Sequence, residues 1–266
     1  MKNNSYTLLQ GSNSGITRLK LNDPGTYNSL STSMLKSLIS RFKELDKDQK
    51  TRVIIIEGSG KGFSAGHNLK DVKSLKGKTN YKKLFELCSE LMMAIIDCNK
   101  PVIAKVHGAA FAAGCQLVAT CDLALSTDDA IFSTPGVNIG LFCSTPMVAL
   151  SRNVARKKAM RMLLTGEPVN AKHAKEIGLI NDYFNHNDLE EEVIKLAENI
   201  SSKSRKVVKI GKKAFYKQLE MPLDKAYKYT SQVMSENMMA LDAKEGISAF
   251  IEKRKPNWKD KWVQMI

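Results

Sequence analysis

Two stretches with small side chains carry the chemistry that this sequence offers. One is GAAFAAG at residues 108–114, which runs into CQLVATCD at 115–122; the other is GSGKGFSAGHNL at 58–69. Small side chains let a ligand approach the main chain, and the free N–H groups at a helix start point at it with a favourable dipole. Two such turns could supply two N–H groups to one carbonyl oxygen, the arrangement that stabilises an oxyanion. Close packing of a helix start against a sheet explains the same small residues, and spacing alone leaves both readings open. GFSAG at 62–66 has the form G-x-S-x-G, but a nucleophile elbow places its serine directly between a strand end and a helix, with an acid and a histidine downstream. Here glycine-rich chain intervenes after residue 57, and the available histidines are His67, His107, His173 and His186. A phosphate-binding loop fails as well, because Lys61 is followed by Gly62 instead of Ser or Thr and the required first glycine falls at Ile55.

Each turn needs a strand to deliver it. RVIIIE at 52–57 empties into the second stretch and VIAKV at 102–106, behind Pro101, into the first; both are β-branched apolar runs of buried-strand length. Upstream, residues 6–21 hold two short β-like runs around Gly11 to Gly15, read as a hairpin. A turn at 22–25 follows, then an amphipathic helix opened by NSLS at 28–31, with Leu35, Leu38, Ile39, Phe42 and Leu45 on one face. The lysine-rich segment after Leu69 is expected to be a mobile loop, followed by a helix over 81–98. A helix over 115–121 and strands over 123–126 and 131–133 continue an alternation that predicts an α/β fold. From Thr145 the pattern is helical: 155–164, 171–177, 188–202, 204–219, one from Leu223 across Met234, Met238 and Leu241, and a short one over 245–253. Residues 256–259 read as a tail. Met221, Met234, Met238 and Met239 lie at helical spacing, which reads as core or subunit packing.

A chain of 266 residues is long enough for one large α/β domain, or a domain with a small appendage. It has no apolar window of membrane-spanning length, and MKNNSYTLLQGSNSG is too polar for a secretory signal and lacks the arginine-rich character of a transit peptide, so a soluble intracellular protein is expected. Five cysteines, an odd number without a CxxC pair, argue against a disulfide framework and against a zinc site. A net charge of +14 suits a polyanionic partner, nucleic acid among them, although the lysines are dispersed and not interleaved with aromatics, as on a solvated surface.

The residues resemble the crotonase family, also called the enoyl-CoA hydratase/isomerase family. The resemblance rests on FSAGHNL (63–69), KPVIAKVHGAAFAAGCQLVATCDLAL (100–125), FSTPGVNIGL (132–141) and LLTGEPVNAKHAKEIGLIND (163–182), in order and at the family's spacing. It implies an α/β crotonase-like spiral of β-β-α units over residues 1–200. It also implies a helical C-terminal region over 201–266 that covers the active site and builds a homotrimer, often stacked as a hexamer. The ligand implied is an acyl-CoA thioester, with coenzyme A as part of the substrate, no separate cofactor and no metal; the phosphates of coenzyme A then become the second candidate polyanion. The location implied is the cytoplasm, or the mitochondrial matrix in a eukaryote.

By the same resemblance Ala65, Gly66, His67 and Asn68 line the acyl-CoA site, and the N–H groups of Ala65 and Ala113 are the oxyanion donors. Hydratases of the family carry two glutamates, whose matched positions read Gln116 and Gly136. Glutamine holds a water without taking its proton near neutral pH, and glycine does neither. Hydratase turnover is therefore expected to be weak. Three readings stay open: a divergent CoA enzyme, a catalytically inactive acyl-CoA binder, and a salt-sensitive RNA-binding protein of the sort one branch of the family contains, with nucleic acid not favoured. Other polar candidates nearby are Cys143, Ser144 and Thr145. His67 has an ordinary pKa suited to acid/base work, but its matched position faces the CoA moiety, so it is expected to bind; Cys143 is expected to be a buried, inert thiol.

Overall fold

The computed structural model describes residues 5–11 and 14–261. In chain order the strands are β1 (Thr7–Gly11), β2 (Ile16–Leu21), β3 (Val53–Gly58), β4 (Val102–Val106), β5 (Ala109–Phe111), β6 (Leu123–Thr127), β7 (Ile131–Ser133), β8 (Val169–Asn170) and β9 (Asp182–Phe184). The helices are α1 (Thr32–Lys47), α2 (Leu69–Ser74), α3 (Lys78–Ile96), α4 (Ala113–Thr120), α5 (Pro146–Asn153), α6 (Arg156–Thr165), α7 (Ala171–Glu176), α8 (His186–Ser201), α9 (Arg205–Leu219), α10 (Leu223–Met238) and α11 (Leu241–Ile251). The main sheet runs β1-β2-β3-β4-β6-β9, parallel except for β1, and β5-β7-β8 form a smaller sheet beside it. This is the α/β crotonase-like architecture expected, strands first and helices gathered toward the C-terminus.

The apolar runs explain the layers. Every residue of β3 is buried, as a parallel strand covered on both faces requires. Ile54, Ile56, Val102 and Ala104 pack with α1, α3 and α4, and the alternate residues Val53, Ile55, Ile103 and Leu125 pack against Leu189, Val193 and Ala197 of α8. The predicted face of α1 is buried in full, and the Ser31 hydroxyl caps that helix by accepting from the Met34 N–H.

The structure corrects four local expectations. The lysine-rich segment after Leu69 is helical at its start, because Asn68 Oδ1 accepts from the N–H groups of Lys70 and Asp71 and so nucleates α2. The last helix begins at Leu241 instead of residue 245. Strands β5, β8 and β9, two or three residues each, form by pairing with neighbours and leave no run to read. The segment at 256–259 is docked: Trp258 Nε1 donates to the Ser202 carbonyl at 2.7 Å, and the Lys259 N–H to buried Asp242 at 2.6 Å. Residues 12 and 13 of the expected hairpin lie outside the described residues.

The last helices are tied to the sheet by one buried cation. Lys212 Nζ of α9 donates to Asp122 Oδ2 at 2.7 Å and to the carbonyls of Ile95 and Lys100 at 3.0 and 2.9 Å. Asp122 also accepts from the Val102 N–H and the Tyr216 hydroxyl, so every charge there is paired. The outer face of α10 and α11 is apolar and uncovered, with Leu223 75% and Phe250 84% exposed; Met234, Met238 and Met239 lie on it, not in the core. No helix among the described residues is long and apolar enough to cross a membrane.

Candidate active site

The two glycine-rich turns are stitched together by main chain. Ser64 donates its N–H to the Ala109 carbonyl at 3.1 Å and accepts from the Phe111 N–H at 2.9 Å, forming a parallel bridge to β5. Contact at that range leaves no room for side chains: a Cβ on Gly114 would lie 2.2 Å from the Ser64 carbonyl oxygen. Gly66 has φ +82°, and a Cβ there would lie 2.7 Å from the Phe111 oxygen and 3.0 Å from the Ala113 nitrogen.

Asn28, read in sequence only as part of a helix opening, holds the second turn in shape. Asn28 is fully buried in a left-handed conformation, φ 51°, and its Nδ2 faces the carbonyls of Ser59, Gly62 and Phe63 at 2.8, 2.9 and 3.2 Å. Its Oδ1 accepts from the Asp23 N–H, and its own carbonyl accepts from the Ser64 hydroxyl at 2.9 Å. Asparagine tolerates this backbone better than most residues, so NSLS at 28–31 carried the signal, although it reads first as a helix opening. The Ser64 hydroxyl is thereby buried and committed, which removes it as a nucleophile.

The donors differ from expectation on one side of the site. The Ala65 N–H is spent on the Tyr27 carbonyl at 2.9 Å, so it cannot serve an external oxygen. Two residues on, the N–H of His67 meets no acceptor among the described residues, and Gly66 sets it beside Ala113. The N–H of Ala113 is the first of α4 and is likewise unclaimed, as expected at a helix start. Its direction is set by Ala112, which takes φ 49°, ψ −116°, a conformation costly for any residue with a Cβ. Ala112 is likewise a residue to which the sequence assigned no such role.

The side chains around these donors are neutral. His67 is partly buried; its Nδ1 lies 3.1 Å from the Leu30 carbonyl and its ring meets Phe85 edge-on at 5.5 Å, while burial pulls its pKa below the ordinary 6.5. Asn68 uses its carboxamide oxygen to cap α2. Gln116, on the first turn of α4, is 3% exposed, and Cys88 Sγ lies 3.9 Å from its Oε1. Gly136 is buried in a 3-10 turn over Pro135–Ile139, where a Cβ would fall 2.5 Å from the Leu141 oxygen and 2.8 Å from Cys143 Sγ. Burial pushes the Cys143 thiol upward and the Cys88 thiol to about 12, so neither is a ready thiolate. The one group of His and carboxylate ligands brought together among the described residues, Asp128, Asp129 and His186, is exposed and contains none of the turn residues. Cavities beside α1 and α3, beside α6 and α7, and against α9 contain none of the site residues either.

The N–H groups of His67 and Ala113 are thus two main-chain donors without an acceptor among the described residues, on backbone too tight for added side chains at Gly66 and Gly114. Comparison with known proteins identifies the family. A protein of Rattus norvegicus named enoyl-CoA hydratase domain-containing protein 3, mitochondrial, is 48% identical over 244 residues, 92% of this chain and 81% of that one. The crystal structure of human enoyl-CoA hydratase domain-containing protein 3 superposes with a TM-score of 0.92 at 47% identity, covering 95% of this chain and all of the other. An enoyl-CoA hydratase of Mycobacterium smegmatis superposes with a TM-score of 0.93 at 46% identity, over 95% of this chain and 98% of that one. The Enoyl-CoA hydratase/isomerase family pattern matches residues 11–261, and the chain belongs to that family.

Proposed function

We propose that this protein binds an acyl-CoA thioester with the carbonyl oxygen between the N–H groups of His67 and Ala113. The observation that carries the reading is the pair of unclaimed N–H groups held together by Gly66 and Ala112. Each donor aimed at an oxyanion contributes about 3 kcal/mol to a transition state that puts charge there. Gly66 lies against the Ala113 nitrogen and gives the thioester its backbone wall. Lys70 and Lys73 on α2, with Lys76, Lys78, Lys82 and Lys83 beyond, give the phosphates of coenzyme A a basic rim.

Chemistry at the site is weak hydration or none. Gln116 orients a water without deprotonating it, and position 136 offers no side chain at all. The uncovered apolar face of α10 and α11 supports self-association, as a trimer or a pair of trimers. The rat and human relatives are named mitochondrial, which supports a matrix location for this chain. Calorimetry with a non-hydrolysable acyl-CoA analogue tests the reading: saturable binding is expected, and no heat at millimolar ligand overturns it.

A further inference from the structure

We infer that residues 257–261 are a latch that holds α11, and with it the part of the uncovered apolar face that α11 supplies, in place on the body of the protein. Helix α11 has little apolar attachment of its own. Its buried residues are Asp242 and Ala249, whereas Ile247, Phe250 and Ile251 are exposed. An isolated helix of 11 residues is marginal in water, and no side chain caps this one at Ala240. The chain that follows the helix supplies the missing bonds.

Lys253 takes a left-handed conformation, φ 53°, behind the last turn of α11, and the Arg254 N–H returns to the Ala249 carbonyl at 2.9 Å. The Arg254 guanidinium then donates to both Glu245 oxygens, at 2.6 and 3.0 Å, and the Asn257 N–H donates to the same carboxylate at 2.7 Å. The chain thus runs back along the helix toward its start. A Cβ on Gly246 would stand 3.3 Å from the Trp258 ring, so the indole lies against the helix main chain there. The Lys261 carbonyl accepts from the Leu241 N–H at 3.1 Å, a main-chain cap where no side chain gives one. Asp242, 1% exposed, is the hub: its carboxylate accepts from the N–H groups of Lys259 and Asp260 at 2.6 and 3.0 Å, and from the Ser204 hydroxyl at 2.5 Å. Beyond the helix, Asp260 accepts from the Lys206 N–H at 3.3 Å and faces the guanidinium groups of Arg205 and Arg52 at 3.4 and 3.6 Å. Since Arg205 opens α9 and Arg52 precedes β3, the latch joins α11 to both. Its release takes away the cap of α11 and leaves the buried Asp242 carboxylate with the Ser204 donor alone, which is destabilising. The cores on the two sides of the sheet include no residue of α11, so the sheet stays folded when the helix detaches.

Hydrogen exchange and light scattering on the full chain test this. Asp242→Ala removes two charge-assisted bonds to the latch, and amide exchange across α11 is expected to rise about 100-fold while β3 and β4 keep their protection. Asp260→Asn keeps the size of the side chain and tolerates the φ of 54° at that position, but removes the charge that faces Arg52 and Arg205. It is expected to raise exchange in the same helix by about threefold. Unchanged exchange in α11 in either variant, or a rise of equal size in β3 and β4, overturns the latch. The consequence for assembly rests on the self-association reading: the mass of the particle is expected to fall toward that of one chain in Asp242→Ala. A wild type that is already a single chain overturns the self-association reading, and the exchange result then decides the latch by itself. An assembly that persists in Asp242→Ala despite fast exchange in α11 overturns the dependence of the apolar face on the latch.

Discussion

Restoring carboxylates at the two matched positions should give unequal results. Gln116→Glu is nearly isosteric and lies on the first turn of α4, where the helix dipole favours a carboxylate by about 0.3–1 kcal/mol. Burial at 3% exposure raises the pKa of a carboxyl there toward the working pH, which suits a general base. One positioned acid/base group typically contributes about 100- to 10,000-fold, so hydration of crotonyl-CoA, followed as loss of enoyl thioester absorbance, is expected to rise about 100-fold over the wild type.

Gly136→Glu is a different perturbation. Its Cβ alone would stand 2.5 Å from the Leu141 carbonyl oxygen and 2.8 Å from Cys143 Sγ. The first obstacle is backbone and cannot swing away, so the 3-10 turn must move. Overpacking of this kind costs about 1–3 kcal/mol, and in a chain of this size about 3 kcal/mol lowers Tm by about 6–12 °C. The variant is expected to melt lower by that amount and hydrate no faster than the wild type, and the double variant to fall below Gln116→Glu alone. Matching of positions by sequence predicts the reverse order, with the two-glutamate protein fastest. A double variant that melts with the wild type and outruns both single changes would refute the packing argument, and wild-type turnover on a par with Gln116→Glu would refute the role given to Gln116.

Asn28→Ala leaves the carbonyls of Ser59, Gly62 and Phe63 without their amide donor, and is expected to lower stability by about 3 kcal/mol in urea and to weaken acyl-CoA binding with it; an unchanged urea midpoint would show that water replaces the amide. His67 has its folded-state pKa depressed below 6.5, so the unfolded chain binds the extra proton first as pH falls. Its contribution is complete above pH 6.5 and is lost as pH drops from there through the folded value, so His67→Phe is expected to flatten the acid side of a Tm-against-pH curve. Parallel curves for the two proteins would contradict a buried neutral imidazole.

Much of the frame was legible because it is local. The β-branched runs of β3 and β4 and the apolar face of α1 declare themselves within a few residues, and all of them are buried. Strands β8 and β9 were not legible, because two or three residues become a strand only through partners supplied by distant chain. The site divides the same way. Gly66, Ala113 and Gln116 were marked by the resemblance to the family, whereas the choice between Ala65 and His67 as donor depends on the Tyr27 carbonyl, which only the folded chain brings to Ala65. The space at Gly136 is likewise filled by Leu141 and Cys143 and not by any property of the glycine's own neighbours in sequence.

The proposed oxygen-binding groups are main-chain atoms, and their aim depends on backbone contacts at Gly66 and Gly114, on the Asn28 carboxamide and on the strained Ala112. A side chain added at Gly66 or Gly114 must therefore lower stability and oxygen binding together, since the displaced backbone is the binding group. His67 and Gln116 contribute side chains whose removal leaves the backbone contacts at Gly66 and Gly114 in place, so substitutions there are expected to leave the N–H pair in its geometry. The absence of carboxylates at 116 and 136 is thus compatible with the proposed thioester pocket, because the atoms proposed to hold the carbonyl and the atoms that would move its protons belong to different parts of the chain.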